Sequence, residues 1–343
     1  MSGFPYMNRQ YLFDHYPNVV VTSECFKLHD EIISQIDEGE ILVRNHYLSL
    51  DPYMRGRMSK AKNYAAGQEL NTVMQGGTVG EVVESKHADF KVGDTVICTG
   101  GWQLYYRTAP TMDSNHVRKI DVSRIPMSVY LGAAGMPGIT AWYGLNKIIK
   151  PQSGETLVVS AASGAVGSVV GQLAKQKGCR VIGIAGGPEK CEYVVETLGF
   201  DDCIDYKAYP DAETLSHELR QLAPNGVDAY YENVGGYIMD AVLDNLNAFA
   251  RVAICGLIAG YDGRAIPISN PRAILVARAS ITGFIISDHM DIWPQALAEL
   301  AEAVAKGVLI FRESVSVGLE SAPDAFIGLL QGHNFGKQLV KLI

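Results

Sequence analysis

Between residues 156 and 176 the chain switches its hydrophobic period, and that switch restricts the possible folds more than any other feature. Thr156-Leu157-Val158-Val159-Ser160 is a continuous apolar run of the kind found in a fully buried strand. Residues 161–167 are small. Val166, Val169, Val170 and Leu173 then recur at i, i+3, i+4 and i+7, the period of a helix. The turn between them reads Ala162-x-Gly164-x-x-Gly167, a variant of the glycine-rich dinucleotide turn with alanine first. Here a small residue allows the sharp turn. Gly164 would let backbone approach a pyrophosphate, and Gly167 would let helix and strand pack closely. The helix N-terminus would offer free N–H groups to the anion. Strand, turn and helix in this order predict dinucleotide binding rather than a merely structural turn.

Further strand patterns follow at Arg180-Val181-Ile182-Gly183-Ile184-Ala185, 202–206, 227–232, 250–255 and 280–284, most of them separated by helical stretches. Strands alternating with helices predict βαβ units and a parallel sheet, an α/β doubly wound fold. The first third reads differently. Short glycine-punctuated strands at 40–44, 76–83 and 91–97 predict a twisted, barrel-like sheet. Residues 293–306 and 322–330 read as helices, and 313–317 and 338–342 as strands. The β character of the tail predicts that it returns to the N-terminal domain.

At 343 residues the chain has the length of about two domains. Hydrophobic residues make up 48% and charged residues 19%, enough apolar material for packed cores and too little charge for disorder. A net charge of -8 argues against nonspecific nucleic-acid binding. The six cysteines (Cys25, Cys98, Cys179, Cys191, Cys203 and Cys255) form no C-x-x-C pair and sit at no metal-ligand spacing with histidine. They read as free thiols in a reducing compartment. With no stretch of about 18 apolar residues and no signal-peptide pattern, the sequence predicts a soluble cytoplasmic protein.

The cofactor can be addressed by spacing. NAD-binding turns place an acid at the end of the second strand, about 20 residues on. Here that strand ends in Ala185-Gly186-Gly187-Pro188-Glu189-Lys190. Its end carries no acid and leaves room for a 2′-phosphate, with Lys190 as the cation; the adjacent Glu189 is the counterweight. Spacing favours NADP and leaves NAD open.

At this point the residues resemble a known family. The motifs are Leu48-Ser49-Leu50-Asp51-Pro52-Tyr53-Met54-Arg55, Gly135-Met136-Pro137-Gly138-Ile139-Thr140-Ala141 and Ala161-Ala162-Ser163-Gly164-Ala165-Val166-Gly167-Ser168. They continue through Glu232-Asn233-Val234-Gly235-Gly236, Cys255-Gly256-Leu257-Ile258-Ala259-Gly260-Tyr261 and His333-Asn334-Phe335-Gly336-Lys337. Together they resemble the zinc-free medium-chain dehydrogenase/reductases of the leukotriene B4 12-hydroxydehydrogenase, prostaglandin reductase and alkenal double-bond reductase group, which includes bacterial curcumin reductases. The resemblance implies a Rossmann-type doubly wound sheet, residues 128–301, binding NADP(H). It implies a GroES-like β-barrel substrate domain built from 1–127 and 302–343. Gly164, Ala165, Val166 and Gly167 would meet the pyrophosphate, and Lys190 and Tyr206 would bracket the 2′-phosphate. Thr140, Asn233 and the loop Cys255, Gly256, Leu257, Ile258 and Tyr261 would line the nicotinamide side. Phe284, Ile285, Ile286 and Asn334 would complete the cleft. Relative to the group, the stretch from Lys190 to Tyr206 is one residue longer, and Ala259-Gly260 replaces a polar pair before Tyr261. The resemblance also implies a homodimer paired through edge strands of the nucleotide-binding sheet.

Zinc-dependent relatives carry a cysteine in the strand aligned with residues 48–51 and a Gly-His-Glu near Gln75-Gly76-Gly77; this sequence has neither. Without thiolate and imidazole ligands no Lewis acid is available to polarise an alcohol, and alcohol dehydrogenation is disfavoured. The expected chemistry is NADPH-dependent hydride addition to the β-carbon of an α,β-unsaturated aldehyde or ketone, where charge moves onto the carbonyl oxygen. A tyrosine hydroxyl would support the enolate and its protonation. Among 17 tyrosines only three stand at motif positions. Tyr261 follows the Cys-Gly loop, Tyr53 lies in Asp51-Pro52-Tyr53, and Tyr64 lies on a loop resembling the substrate loop of bacterial curcumin reductases. No G-x-S-x-G elbow surrounds Ser160 or Ser163, and His46, His116 and His333 are given no chemistry. The competing readings are an NADPH:quinone oxidoreductase of the same superfamily and a non-catalytic NADPH-binding protein. The physiological enal or enone is left open.

Overall fold

The computed structural model describes residues 3–61, 63–111 and 117–343. The chain divides into two compact units, the first formed by residues 1–131, 313–334 and 338–343, the second by 132–312 and 335–337.

In the first unit, β1 (Tyr6–Phe13) and β2 (Phe26–Ile33) form an antiparallel pair. The following elements are β3 (Ile41–Ser49), α1 (Tyr53–Arg57), β4 (Thr78–Ser85), β5 (Thr95–Cys98), β6 (Tyr105–Thr108) and β7 (Val117–Lys119). β3 runs five residues beyond the apolar run 40–44 because it is the centre of the sheet. It pairs with β4, with β6 and, through Ser49, Leu48 and Tyr47, with the C-terminal strand. The core beneath it gathers Leu48, Leu50, Met54, Met58, Met74, Trp102 and Phe326. Phe26 stacks on Trp102 with ring centroids 4.8 Å apart. Full burial of each large side chain contributes about 1.5–3 kcal/mol.

The second unit opens with α2 (Met136–Tyr143) and then alternates: β8 (Thr156–Ser160), α3 (Gly167–Gln176), β9 (Arg180–Ala185), α4 (Pro188–Glu192), β10 (Asp202–Asp205), α5 (Ala212–Leu222), β11 (Val227–Glu232), α6 (Gly236–Leu243), β12 (Leu246–Ile254), α7 (Pro271–Ala277), β13 (Ser280–Gly283) and α8 (Trp293–Ala305). The six strands are all parallel, in the order β10-β9-β8-β11-β12-β13. That is the doubly wound order, which reverses between β8 and β11, and a ligand crevice is expected at the strand ends there. Val158, Ile182, Ile184, Tyr230 and Val252 on the sheet pack against Leu215, Leu219 and Val242 on the helices. β12 begins four residues before the apolar run 250–255. Its first residues include exposed Phe249, with φ +66°, and its pairing with β11 shifts register between Val227 and Ala229.

The chain then returns to the first unit as β14 (Glu313–Val317), α9 (Ala322–Leu330) and β15 (Lys337–Lys341). β15 pairs with β3 and β14, so the tail joins the N-terminal sheet. Among the described residues no helix is long and apolar enough to cross a membrane.

Candidate functional site

The turn after β8 is built by backbone contacts that admit no larger residue. Gly164 N–H donates to Ala161 O at 2.9 Å and Ser168 N–H to Gly164 O at 3.1 Å. A Cβ on Gly167 would lie 2.4 Å from Ala161 O, so any side chain there would force strand and helix apart. A Cβ on Gly164 would meet Ala161 O at 3.1 Å and little else, which leaves its outer side open for an anion. Ala162 is fully buried, and its methyl would be 2.9 Å from a Cβ on Gly183. Gly164 also forms a parallel bridge with Gly336. This cradle and the amides opening α3 fit the pyrophosphate of a dinucleotide.

The end of β9 forms the neighbouring wall. Gly187, with φ +102°, turns the chain into α4, and its N–H donates to Asp205 Oδ1 at 2.8 Å. A Cβ on Gly186 would touch the Tyr206 ring at 2.9 Å and Lys207 Cε at 3.1 Å. Burial first, and then the nearby Lys207 charge, hold the Lys190 ammonium below its usual range. Tyr206 and Lys207 thus close over a residue with no side chain, and Lys190 lies near enough to Lys207 to feel its charge. Such a cluster favours an added anion, and a 2′-phosphate matches it. Glu189 turns its exposed carboxylate toward Arg312, 3.9 Å away. The Arg312 guanidinium lies 3.7 Å from the centroid of Phe335 and 5.4 Å from that of Tyr193.

Across the switch point, one loop is held by a buried carboxyl and a second loop is tied to the first. Glu232 is fully buried at the end of β11. Its Oε1 accepts from Ser160 Oγ at 2.8 Å, from Gly235 N at 3.0 Å and from Val234 N, and Oε2 accepts from the Tyr230 hydroxyl. Burial raises its pKa while these donors oppose the shift. Asn233 donates its backbone N–H to Ser160 Oγ and its Nδ2 to Ser160 O, both at 2.8 Å. The second loop is tied to the first: Cys255 N donates to Glu232 O at 2.9 Å, Ile258 N to Asn233 O at 3.3 Å and Ala259 N to Val234 O at 2.9 Å. The Tyr261 hydroxyl is 3.4 Å from where a Gly256 Cβ would stand. Burial pushes the Cys255 thiol up to about 12, opposed by its hydrogen bond with Tyr231. Tyr231 in turn donates to Thr140 O at 2.8 Å. Phe284, whose N–H donates to Ile254 O at 3.3 Å, packs 5.4 Å from Tyr143 and 6.5 Å from Tyr231.

Tyr53 and Tyr64 belong to the first unit. Tyr53 opens α1, with Arg57 above its ring at 5.2 Å. Burial, followed by the Asp51 charge, raises its hydroxyl well above the usual tyrosine range, with Tyr64 close enough to contribute. Tyr64 is about half exposed. Among the described residues no group of three or more His, Cys, Asp or Glu side chains could hold a metal ion. The six cysteines are free. His46 is held below its usual pKa by burial and then by Arg44. His116 lies outside the described residues.

Residues 9–117 match the family described as N-terminal domain of oxidoreductase, and residues 165–302 the family described as zinc-binding dehydrogenase. The chain is 43% identical to the NADPH-dependent curcumin reductase of Escherichia coli (strain K12), over 98% of this chain and 97% of that protein. It is 40% identical to the NADP(+)-dependent 2-alkenal reductase of Nicotiana tabacum, over 89% of each. The crystal structure of CurA from Vibrio vulnificus in complex with NADPH superposes with a TM-score of 0.90 at 45% identity, covering 98% of this chain and 99% of that one. The chain belongs to the zinc-free curcumin, alkenal and prostaglandin reductase group of the medium-chain dehydrogenase/reductases.

Within this reductase group the Rossmann-type sheet plus GroES-like domain is the shared architecture. In the second unit the structure brings together Thr140, residues 164–167, Asn233, the loop 255–261 and Phe284 around the strand ends. Ile285 and Ile286 follow β13, with Ile286 buried. Asn334 is the last residue of its segment in the first unit, directly before Phe335 and Gly336 of the second. Two contributors escaped the sequence reading. Lys207 follows Tyr206 and had no motif around it, although a second lysine beside a candidate phosphate site is a readable signal. Glu232 carries no site role in the sequence, where it ends the strand 227–232 and opens the Glu232-to-Gly236 motif. Its place at the last position of a buried strand was the available clue.

Proposed function

We propose that this enzyme reduces the carbon–carbon double bond of α,β-unsaturated aldehydes or ketones with NADPH. The observation that carries the reading is the loop held by Glu232 with the second loop tied to it, which sets the Tyr261 hydroxyl beside the Gly256 backbone in a chain of this reductase group. Bound NADPH supplies a hydride. Gly164, Ala165, Val166 and Gly167 hold its pyrophosphate, Lys190 and Tyr206 its 2′-phosphate with Lys207 alongside, and Asn233 and the loop 255–261 its nicotinamide side. Thr140, Phe284, Ile285, Ile286 and Asn334 complete that cleft.

Tyr261 donates a hydrogen bond to the substrate's carbonyl oxygen as negative charge develops there. A neutral phenol suits this task because it gives a hydrogen bond without placing a fixed charge in the site. Tyr53 and Tyr64 belong to the substrate side, on the unit that forms the GroES-like domain. The unit with the parallel sheet is the NADP-binding domain. The same proposal places the enzyme in the cytoplasm and makes it a homodimer. Supporting the dimer, β13 ends the parallel sheet, with Ser280, Thr282 and Gly283 exposed along it and Leu275, Val276 and Phe249 exposed nearby. An open edge flanked by apolar residues is a surface that a second copy would cover.

A quinone acceptor would use the same cofactor unit, and a non-catalytic binder would need no phenol beside the nicotinamide loop. The test compares NADPH oxidation with an α,β-unsaturated ketone and with a quinone. Faster turnover of the enone, with the saturated ketone as product, is expected. Turnover of the quinone alone would transfer the assignment to quinone reduction, and NADPH binding without turnover across enones would make the protein a binder.

A further inference from the structure

The segment that follows Tyr261 is a strap within the second unit. At its start Tyr261 N–H donates to Ile258 O at 3.1 Å and Gly263 N–H to Gly260 O at 3.0 Å, and Arg264 Nε reaches back to Asp262 at 2.6 Å. Its far end is fastened to α6. Ser269 donates from its amide to Asp240 Oδ1 at 3.0 Å and from its hydroxyl to Asp240 Oδ2 at 2.6 Å, while Asn270 Nδ2 donates to Asp244 Oδ1 at 2.9 Å. One side chain holds the middle. Residues 263–265 and 267–270 are exposed, and Ile266 between them is half-buried.

Ile266 enters a socket of three glycines. A Cβ on Gly235 would lie 2.9 Å from Ile266 Cδ1, and one on Gly260 would lie 3.0 Å from Cδ1 and 3.1 Å from Cγ1. A Cβ on Gly236 would stand 4.0 Å from Cγ2. Gly235 and Gly236 also have φ of +80° and +61°, so their backbone alone favours glycine. Gly260 is different. It lies in the short helical turn 258–260 with ordinary φ, and its missing side chain serves the approach of Ile266. Gly235 and Gly236 stand where the Glu232 loop enters α6, and Gly260 directly precedes Tyr261. The one side chain therefore reaches from the first loop to the residue before the phenol.

We propose that Ile266 is a positioning residue for the reduction: it holds the turn that carries Tyr261 against the Gly235-Gly236 backbone and so fixes where the phenol stands. The inference rests on the reading of Tyr261 above. The amides of Ile258 and Ala259 fasten the start of that turn to the Asn233 and Val234 carbonyls. The N–H groups of Gly260 and Tyr261 bond within the turn, to Leu257 and Ile258, and the contact between Gly260 and Ile266 carries the fastening onward to the first loop. A phenol that donates to a developing enolate must point at that oxygen, and a displacement of about 1 Å in such a site can cost on the order of a hundredfold in rate. Ile266 acts through Tyr261 and not on the reacting atoms.

The experiment compares full-length Ile266→Ala and Ile266→Val with the unmodified enzyme, each with and without Tyr261→Phe. It measures the single-turnover rate of NADPH oxidation by an α,β-unsaturated ketone, the NADPH dissociation constant, and amide hydrogen exchange in the peptide covering 255–262. Ile266→Ala is expected to slow the single turnover about tenfold while the NADPH dissociation constant stays within about threefold. Exchange at the Ile258 and Ala259 amides is expected to quicken. Ile266→Val keeps the carbons that face Gly236 and part of the contact with Gly260, and it is expected to recover most of the rate. In the Tyr261→Phe background, Ile266→Ala is expected to cost no more than about a further twofold, because residues acting through one group are not additive. An unchanged rate in Ile266→Ala overturns the proposal. So does the same loss of rate persisting without the phenol, or a fall in NADPH affinity as large as the fall in rate. If Tyr261→Phe itself keeps the full rate, the reading of Tyr261 fails, and exchange in 255–262 then decides by itself whether Ile266 holds this turn. Unchanged exchange in Ile266→Ala means that it does not.

Discussion

The Tyr261 hydroxyl is the one candidate proton donor whose loop is bonded to the strand ends of the parallel sheet. Loss of one such donor in a site shielded from water costs about 2.7–4 kcal/mol of barrier, or roughly a hundredfold to a thousandfold in turnover. Tyr261→Phe is therefore expected to lower kcat on an enone by that order while the NADPH dissociation constant stays close to that of the unmodified enzyme. Single-turnover kinetics with equilibrium binding makes the check, and an unchanged chemical step would remove Tyr261 from the mechanism. Tyr53 differs in kind. Its hydroxyl, raised by burial and by Asp51, stays protonated across the working pH range and can act only as a neutral donor. Residue roles were only partly readable from the chain. Gly167 was legible because its requirement is steric and local: an Ala161 carbonyl 2.4 Å from its missing Cβ. Lys207 was not, because its relevance depends on Gly186, a neighbour twenty-one residues away in sequence that only the β9–β10 pairing supplies.

At the scale of elements, the backbone carbonyls of residues 232–234 accept from the loop after β12, and the Glu232 carboxylate holds that backbone in place. Removing its carboxylate leaves the Ser160 and Tyr230 hydroxyls and the Val234 and Gly235 amides without their acceptor. Each orphaned buried donor costs about 1–3 kcal/mol. Glu232→Ala is expected to lose at least about 3 kcal/mol of stability in denaturant unfolding and to weaken NADPH binding with it. Glu232→Gln, which keeps one acceptor oxygen, should lose less. A Glu232→Ala protein with unaltered stability would mean that the carboxylate does not organise these loops. The strands β8, β9, β11 and β14 coincide with their apolar or β-branched runs, because a strand covered on both faces must be apolar throughout and a half-exposed one still favours branched residues. β3 and β12 outrun their patterns where pairing partners hold residues outside the apolar runs, Asn45 and Tyr47 against β4 and Leu246 against β11, in the sheet. Hydrogen bonds to a neighbouring strand leave no trace in local composition, and such boundaries are set by tertiary pairing.

For the molecule as a whole, the two-unit division and the return of the tail to the first sheet follow from β15 pairing with β3. The exposed β13 edge, with Leu275 at 76% and Phe249 at 67% exposure, predicts a dimer in sedimentation at micromolar concentration. A monomer alone at that concentration would leave this edge without its proposed partner. The destination of the hydride separates double-bond reduction from carbonyl reduction, and isotope transfer reads it. NADPH deuterated at the transferred nicotinamide position is turned over with an α,β-unsaturated ketone, and the product is examined by NMR. A saturated ketone with deuterium on the former β-carbon is expected. Deuterium on the carbonyl carbon of an allylic alcohol would contradict double-bond reduction.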